Sequence, residues 1–245
     1  MNIMLTSCFC DFHLVDGKEA PSVLIRRNGL LDTLQSIWAE RARVLVVCSD
    51  PCNHAGNDAV CACMKESFLM SGLSIGTFAL CDGRNPDAVC GLQDVDVLVL
   101  AGGHVPTQNA FMKQLGLREK LRGYDGVILA LSAGSMNCAE TVYAIPELAG
   151  EAVNPHYERW LTGLGLTTIN IFPHYQYLKT VELDGLCMAS DIAFPDSYGK
   201  EILALNDGSY LLLSDGNTTL YGEAYRIRDG KEYPLCKDGE WVSLS

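Results

Sequence analysis

The residue type most suggestive of chemistry in this chain is the serine at position 132. The apolar run Val127-Ile128-Leu129-Ala130-Leu131 stops on Ser132, and Ala133, Gly134 and Ser135 follow. Such a run reads as a parallel strand buried on both faces. A serine at a tight strand-to-helix turn needs small neighbours because the backbone there is strained. That turn lifts Oγ above the carboxyl edge of the sheet and leaves the next amide free to face an oxyanion. The usual elbow has glycine two residues before the serine, where this chain has Ala130. The plainer alternative is a strand that ends in an ordinary Ser-Ala-Gly loop.

A serine hydroxyl becomes a nucleophile at neutral pH only beside a base. The chain has five histidines: His13, His54, His104, His156 and His174. His174 directly follows an apolar segment, in Phe172-Pro173-His174-Tyr175, which predicts a position at a carboxyl edge shared with Ser132. His156, in Asn154-Pro155-His156-Tyr157, is a rival in a polar loop. The imidazole in turn needs an orienting carboxylate. Asp207 (Leu205-Asn206-Asp207-Gly208) and Glu147 (Ile145-Pro146-Glu147) are the two candidates. Aspartate before glycine is also a common turn residue, and Glu147 would serve equally as a solvated loop charge. For an oxyanion hole, Ala133 offers one backbone N–H. Gly103, in the Gly-Gly pair after the run Val95–Ala101, offers a second.

The elements that must position these groups follow from periodicity. Met1–Ser7, Arg43–Ser49, Leu73–Leu80, Val95–Ala101 and Val127–Leu131 read as strands. Helical spacing marks Val23–Ala42, Asn57–Met70, Thr107–Arg122 and a short segment, Ser135–Glu140. This alternation predicts an α/β fold with a doubly wound, mostly parallel sheet and helices on both faces. Active-site loops then lie at the carboxyl ends of the strands. Thr167–Phe172 reads as a further strand. Ile202–Leu205, Ser209–Leu213, Thr218–Tyr221 and Ala224–Arg228, separated by Asp-Gly turns, read as antiparallel hairpins appended to the sheet. With no linker or repeat, one domain over residues 1–245 is expected.

Bulk properties exclude several classes. The chain is 48% hydrophobic and 20% charged, enough to bury a large core. Its net charge of −12, with no basic stripe, argues against a nucleic-acid partner. No apolar run approaches the roughly 20 residues of a membrane span. The first residues lack a secretory pattern, so a cytoplasmic protein is expected. The eleven cysteines are then expected as thiols. Cys48, Cys52 and His54, and Cys61 with Cys63, are not spaced as paired C-x2-C zinc knuckles, so no metal is expected.

Ala101-Gly102-Gly103, a helix, Leu131-Ser132-Ala133-Gly134, and a strand ending in Pro173-His174-Tyr175 together resemble the peptidase E family. These are serine peptidases with the class I glutamine amidotransferase-like fold. The likeness runs from the first strand to about Tyr225. It implies a Ser-His-acid hydrolase acting on small peptides without a cofactor. Ser132 matches the family nucleophile and His174 the family base. Asp207 matches the Glu before Gly in the late strand-turn, and Glu147 the Asp fifteen residues past the nucleophile. Asp207 is preferred because it follows a strand end. The amidotransferases proper carry Cys at the elbow and Glu two residues after the His. Ser132 and Gln176 stand there instead, which argues against a glutaminase.

The chain also departs from the family. Its Gly-Gly-Gly-Asn loop is Gly102-Gly103-His104-Val105 here. The family's aspartyl dipeptidase implies an arginine downstream of the histidine, to read an N-terminal aspartate. Between His174 and Asn206 the only cations are Lys179 and Lys200, and an ammonium is a poorer carboxylate clamp than a guanidinium. A peptide or amide target without strict Asp-X preference is therefore expected. The alternatives are a cyanophycinase-like hydrolase of β-aspartyl peptides and a non-catalytic binding protein that keeps the fold.

Overall fold

Five aliphatic runs form the parallel half of the main sheet: β1 (Asn2–Thr6), β2 (Ala42–Val47), β3 (Ile75–Cys81), β4 (Val97–Leu100) and β5 (Val127–Leu131). The computed structural model describes residues 1–10, 13–15 and 18–244. Spatial order runs β1-β5-β4-β2-β3, all parallel. Such strands need cover on both sides, and alternate residues supply it. Ile3, Leu5, Leu45, Val47, Leu98, Leu100 and Ile128 face one buried cluster. Met4, Val44, Val46, Val97, Val99 and Leu129 face the other.

Helices α1 (Leu30–Ile37) and α2 (His54–Met70) cover the second cluster through Leu30, Leu31, Leu34, Met64 and Phe68. Helices α3 (Val105–Gln114) and α4 (Ala133–Asn137) cover the first through Phe111, Met112 and Met136. The helices differ from the sequence reading at their ends. The first covers only part of Val23–Ala42, because Gly29 is left-handed before it and Trp38 is extended after it. The third stops at Gln114, with left-handed Gly116 before a separate turn at Leu117–Lys120. The fourth begins at Ala133, immediately after the serine, not at Ser135. Among the described residues no helix is long and apolar enough to cross a membrane.

The hairpins divide between two sheets. β8 (Tyr210–Ser214) pairs antiparallel with β1, β9 (Asn217–Tyr221) with β8, and β12 (Trp241–Leu244) with β9. Among the described residues the main sheet thus has eight strands. β6 (Asn170–Phe172), β7 (Glu201–Leu205), β10 (Ala224–Arg228) and β11 (Lys231–Cys236) form a separate four-stranded sheet in that order. Three of the strands expected on the main sheet, β6, β7 and β10, therefore lie elsewhere. Their buried residues Ile202, Leu203 and Ile227 join the cluster that also holds Ile3 and Leu5.

Register levels the functional edge. Val47 pairs with Leu100, Leu100 with Ala130, and Thr6 with Leu131. Ser7, Ser49, Gly103 and Ser132 therefore leave the sheet on the same side. Gly134 lets α4 start this close to β4: a Cβ there would stand 2.3 Å from the Leu100 carbonyl oxygen. Backbone on both sides leaves little to give. Gly134→Ala is expected to cost about 1–3 kcal/mol by overpacking. The midpoint of thermal unfolding should then fall by several degrees; an unchanged midpoint would mean that α4 shifts freely.

Candidate active site

Ser132 adopts φ 49° and ψ −113°, a conformation that a residue with a Cβ rarely takes. The elbow is pinned at both ends. Ser132 N–H donates to the Thr6 carbonyl at 3.1 Å, and Ser135 Oγ donates to the same oxygen at 2.8 Å. Holding a non-glycine residue there costs about 1–3 kcal/mol, which the surrounding bonds must offset. The Ala133 amide opens α4 and has no acceptor within the helix. Gly103, at φ 148°, approaches so near Ser49 that a Cβ would lie 2.3 Å from its Oγ. Only glycine brings that backbone to the wall of the cavity it shares with Ser132.

The second sheet brings the other two groups. β6 runs parallel to β7, with Phe172 opposite Ala204. His174 and Asp207 each follow two residues past the end of their strand, so the pairing sets them side by side. His174 is left-handed (φ 54°) and turns its ring toward the elbow. Nε2 lies 3.0 Å from Ser132 Oγ, and Nδ1 lies 2.7 Å from Asp207 Oδ1. Both nitrogens are thereby engaged. The His174 and Asp207 side chains are 24% and 17% exposed, which shields their interaction from solvent. Burial raises the Asp207 carboxyl, but hydrogen bonds from His174 and Ser7 outweigh it and hold the group below its ordinary value.

Two supporting groups, Ser7 and Arg27, and the role of Gln176 escaped the sequence reading. Ser7 donates to Asp207 Oδ1 at 2.8 Å and accepts from His174 N–H at 2.7 Å. Its only sequence signal is its place one residue past the first strand. Gln176 accepts from Asp207 N–H at 3.0 Å, and Arg27 donates to the Asp207 carbonyl. The neutral residue at 176 therefore fixes the loop of the acid.

Similarity to known proteins is confined to structure: no family model and no curated protein matches the sequence. A solved protein from Listeria monocytogenes EGD-e, assigned as a peptidase E, superposes with a TM-score of 0.57 and 14% identity, covering 96% of this chain and 98% of that one. The fold is peptidase E-like. At this identity the likeness concerns the fold alone, and the residues must speak for the chemistry.

The remaining sequence candidates lie apart from the Ser132–His174–Asp207 line. His156 is exposed in its loop. Glu147 lines the cavity beside Ser132 and His174. Its side chain opens to solvent, yet the protein around it crowds the carboxyl. This desolvation, followed by repulsion from Glu151, raises the carboxyl to about 8. Because the folded value exceeds the ordinary one of about 4.3, the folded state favours the protonated form, and stability from this group is lost as pH rises toward 8. Glu147→Gln should therefore gain stability relative to the parent between pH 5 and 9 in denaturant titrations. A pH-independent difference would place the carboxyl in its ordinary range.

His104, next to Gly103, ties the loops together. Nδ1 lies 2.7 Å from Thr107 Oγ1, and Nε2 lies 2.9 Å from Glu151 Oε1. Glu151 Oε2 accepts from the amides of Glu147 and Leu148. The loop of Gly103 and His104 is thus braced against the segment that carries Glu147. Lys179 sits over the Tyr175 and Tyr225 rings at 5.8 Å, and Lys200 over the Trp160 ring at 4.6 Å. Among the described residues no group of three or more His, Cys, Asp or Glu side chains could hold a metal ion.

Proposed function

We propose that this protein is a serine hydrolase of the peptidase E type that cleaves amide bonds in small peptides. The observation that carries the reading is the unbroken line from Ser132 Oγ through the His174 ring to Asp207 Oδ1, at 3.0 and 2.7 Å. Ser132 Oγ attacks the amide carbonyl carbon as His174 Nε2 takes its proton. The new C–O bond forms, and negative charge moves to the carbonyl oxygen, which the Gly103 and Ala133 amides receive. His174 then passes the proton to the leaving nitrogen as the C–N bond breaks. A water molecule, activated by the same ring, releases the acyl group from Ser132. Asp207 holds the Nδ1–H tautomer and balances the transient imidazolium. No step calls for a cofactor, and the 245-residue chain would work as one domain.

A fluorophosphonate probe tests the reading, with the adduct mapped by mass spectrometry. The expected product is a single phosphonyl group on Ser132. Intact protein after prolonged exposure would favour a binding protein that keeps the fold.

A further inference from the structure

The cavity beside Ser132 has a volume of about 340 Å³, at the small end of ligand pockets. Its wall is mostly hydrocarbon: Met136, Ile145, Leu178, Val181, Leu183 and Met188. Among the described residues Glu147 is the one carboxyl that lines it, and no lysine or arginine does. A substrate carboxylate in this space would meet hydrocarbon and a second carboxyl, with no cation to pair it. Burial without a partner is strongly unfavourable for such a group. An apolar side chain meets the opposite conditions and gains by leaving water.

The carboxyl has a different complement. In a peptide cleaved at its first amide bond, the α-ammonium lies two bonds from the carbonyl carbon that Ser132 attacks. It therefore enters the same small cavity as the first side chain. Glu147 is the lining group whose charge suits it. Glu151 cannot compete: one of its oxygens faces His104 and the other accepts two backbone amides. The segment that carries Glu147 is also held from the far side, because Asp184 accepts from the amides of Gly150 and Ala152 at 2.8 to 3.0 Å. Crowding keeps the lone Glu147 carboxyl protonated, and an α-ammonium beside it would offset that cost, so that the carboxyl gives its proton to solvent and pairs as the anion.

We infer that this cavity takes a short peptide by its free amino end, with an apolar first side chain against the hydrocarbon wall and the α-ammonium against Glu147. The inference rests on the serine-hydrolase reading and names its substrate class. It differs from an aspartate-reading dipeptidase in the sign of the charge that the site selects.

Three p-nitroanilides separate the possibilities: those of leucine, aspartate and N-acetyl-leucine. The leucine compound should exceed each of the others in kcat/KM by about tenfold or more. In Glu147→Gln the ratio of leucine to N-acetyl-leucine should fall toward one, chiefly through KM. Thermal unfolding of the variant checks that it is folded. A preference for aspartate, indifference to acetylation, or an unchanged ratio in the variant would overturn the inference. A phosphonyl adduct on Ser132 without cleavage of any anilide would overturn it while leaving the hydrolase reading in place. Absence of both adduct and cleavage would remove the hydrolase reading itself, and the inference with it.

Discussion

Ser132→Ala is expected to lower kcat/KM by about 10³–10⁶-fold, since a nucleophile acting as a unit with its base leaves only oxyanion stabilisation and binding when removed. The loss should fall on kcat, because the hydroxyl makes a covalent bond and contributes little to ground-state binding. Ser132→Gly should lose as much activity but differ in stability. At φ 49° and ψ −113° the Cβ carries the strain, and glycine lacks it. Relief of about 1–3 kcal/mol would raise the unfolding midpoint by several degrees. Alanine keeps its Cβ and gains nothing. Kinetics and calorimetry on the two variants read both effects. Equal midpoints would show that the elbow is relaxed; retained turnover in either would end the role of Ser132 as nucleophile.

Much of this site was legible because strand ends are punctuated by residue type. The run Val127–Leu131 stops at a serine followed by Ala133 and Gly134, the small residues that a tight strand-to-helix turn needs. Gly102-Gly103 marks the end of β4 in the same way. Periodicity could not reveal that β6 and β7 leave the main sheet. Both are short apolar runs that suit either sheet, and about thirty residues separate each from the other, its parallel partner. Yet the approach of His174 to Asp207 depends on that pairing, because parallel register alone aligns the two strand ends. Ser7 and Gln176 were illegible for another reason. A serine and a glutamine have no pattern of their own, and their roles exist only once three loops from two sheets meet.

The same limit applied to the acid. Asp207 and Glu147 are both carboxyls in loops after apolar segments, and only coordinates separate one that touches Nδ1 from one that lines the cavity. This difference predicts opposite kinetic signatures. Asp207→Asn should reduce kcat by about 10³–10⁴-fold with little change in KM, since the neutral amide neither secures the Nδ1–H tautomer nor balances the imidazolium. Glu147→Gln should act mainly on KM for substrates with a free amino end. Stability gives a second reading. The Asp207 carboxyl is held below its ordinary value, so its contribution is complete above about pH 4 and is lost as pH falls through the lower folded value. Asp207→Asn should therefore be more destabilising at pH 7 than at pH 3, by denaturant titration at each. If Glu147→Gln instead abolished kcat while Asp207→Asn kept it, Glu147 would be the acid, and the cavity would need to open far enough for its carboxyl to reach the ring.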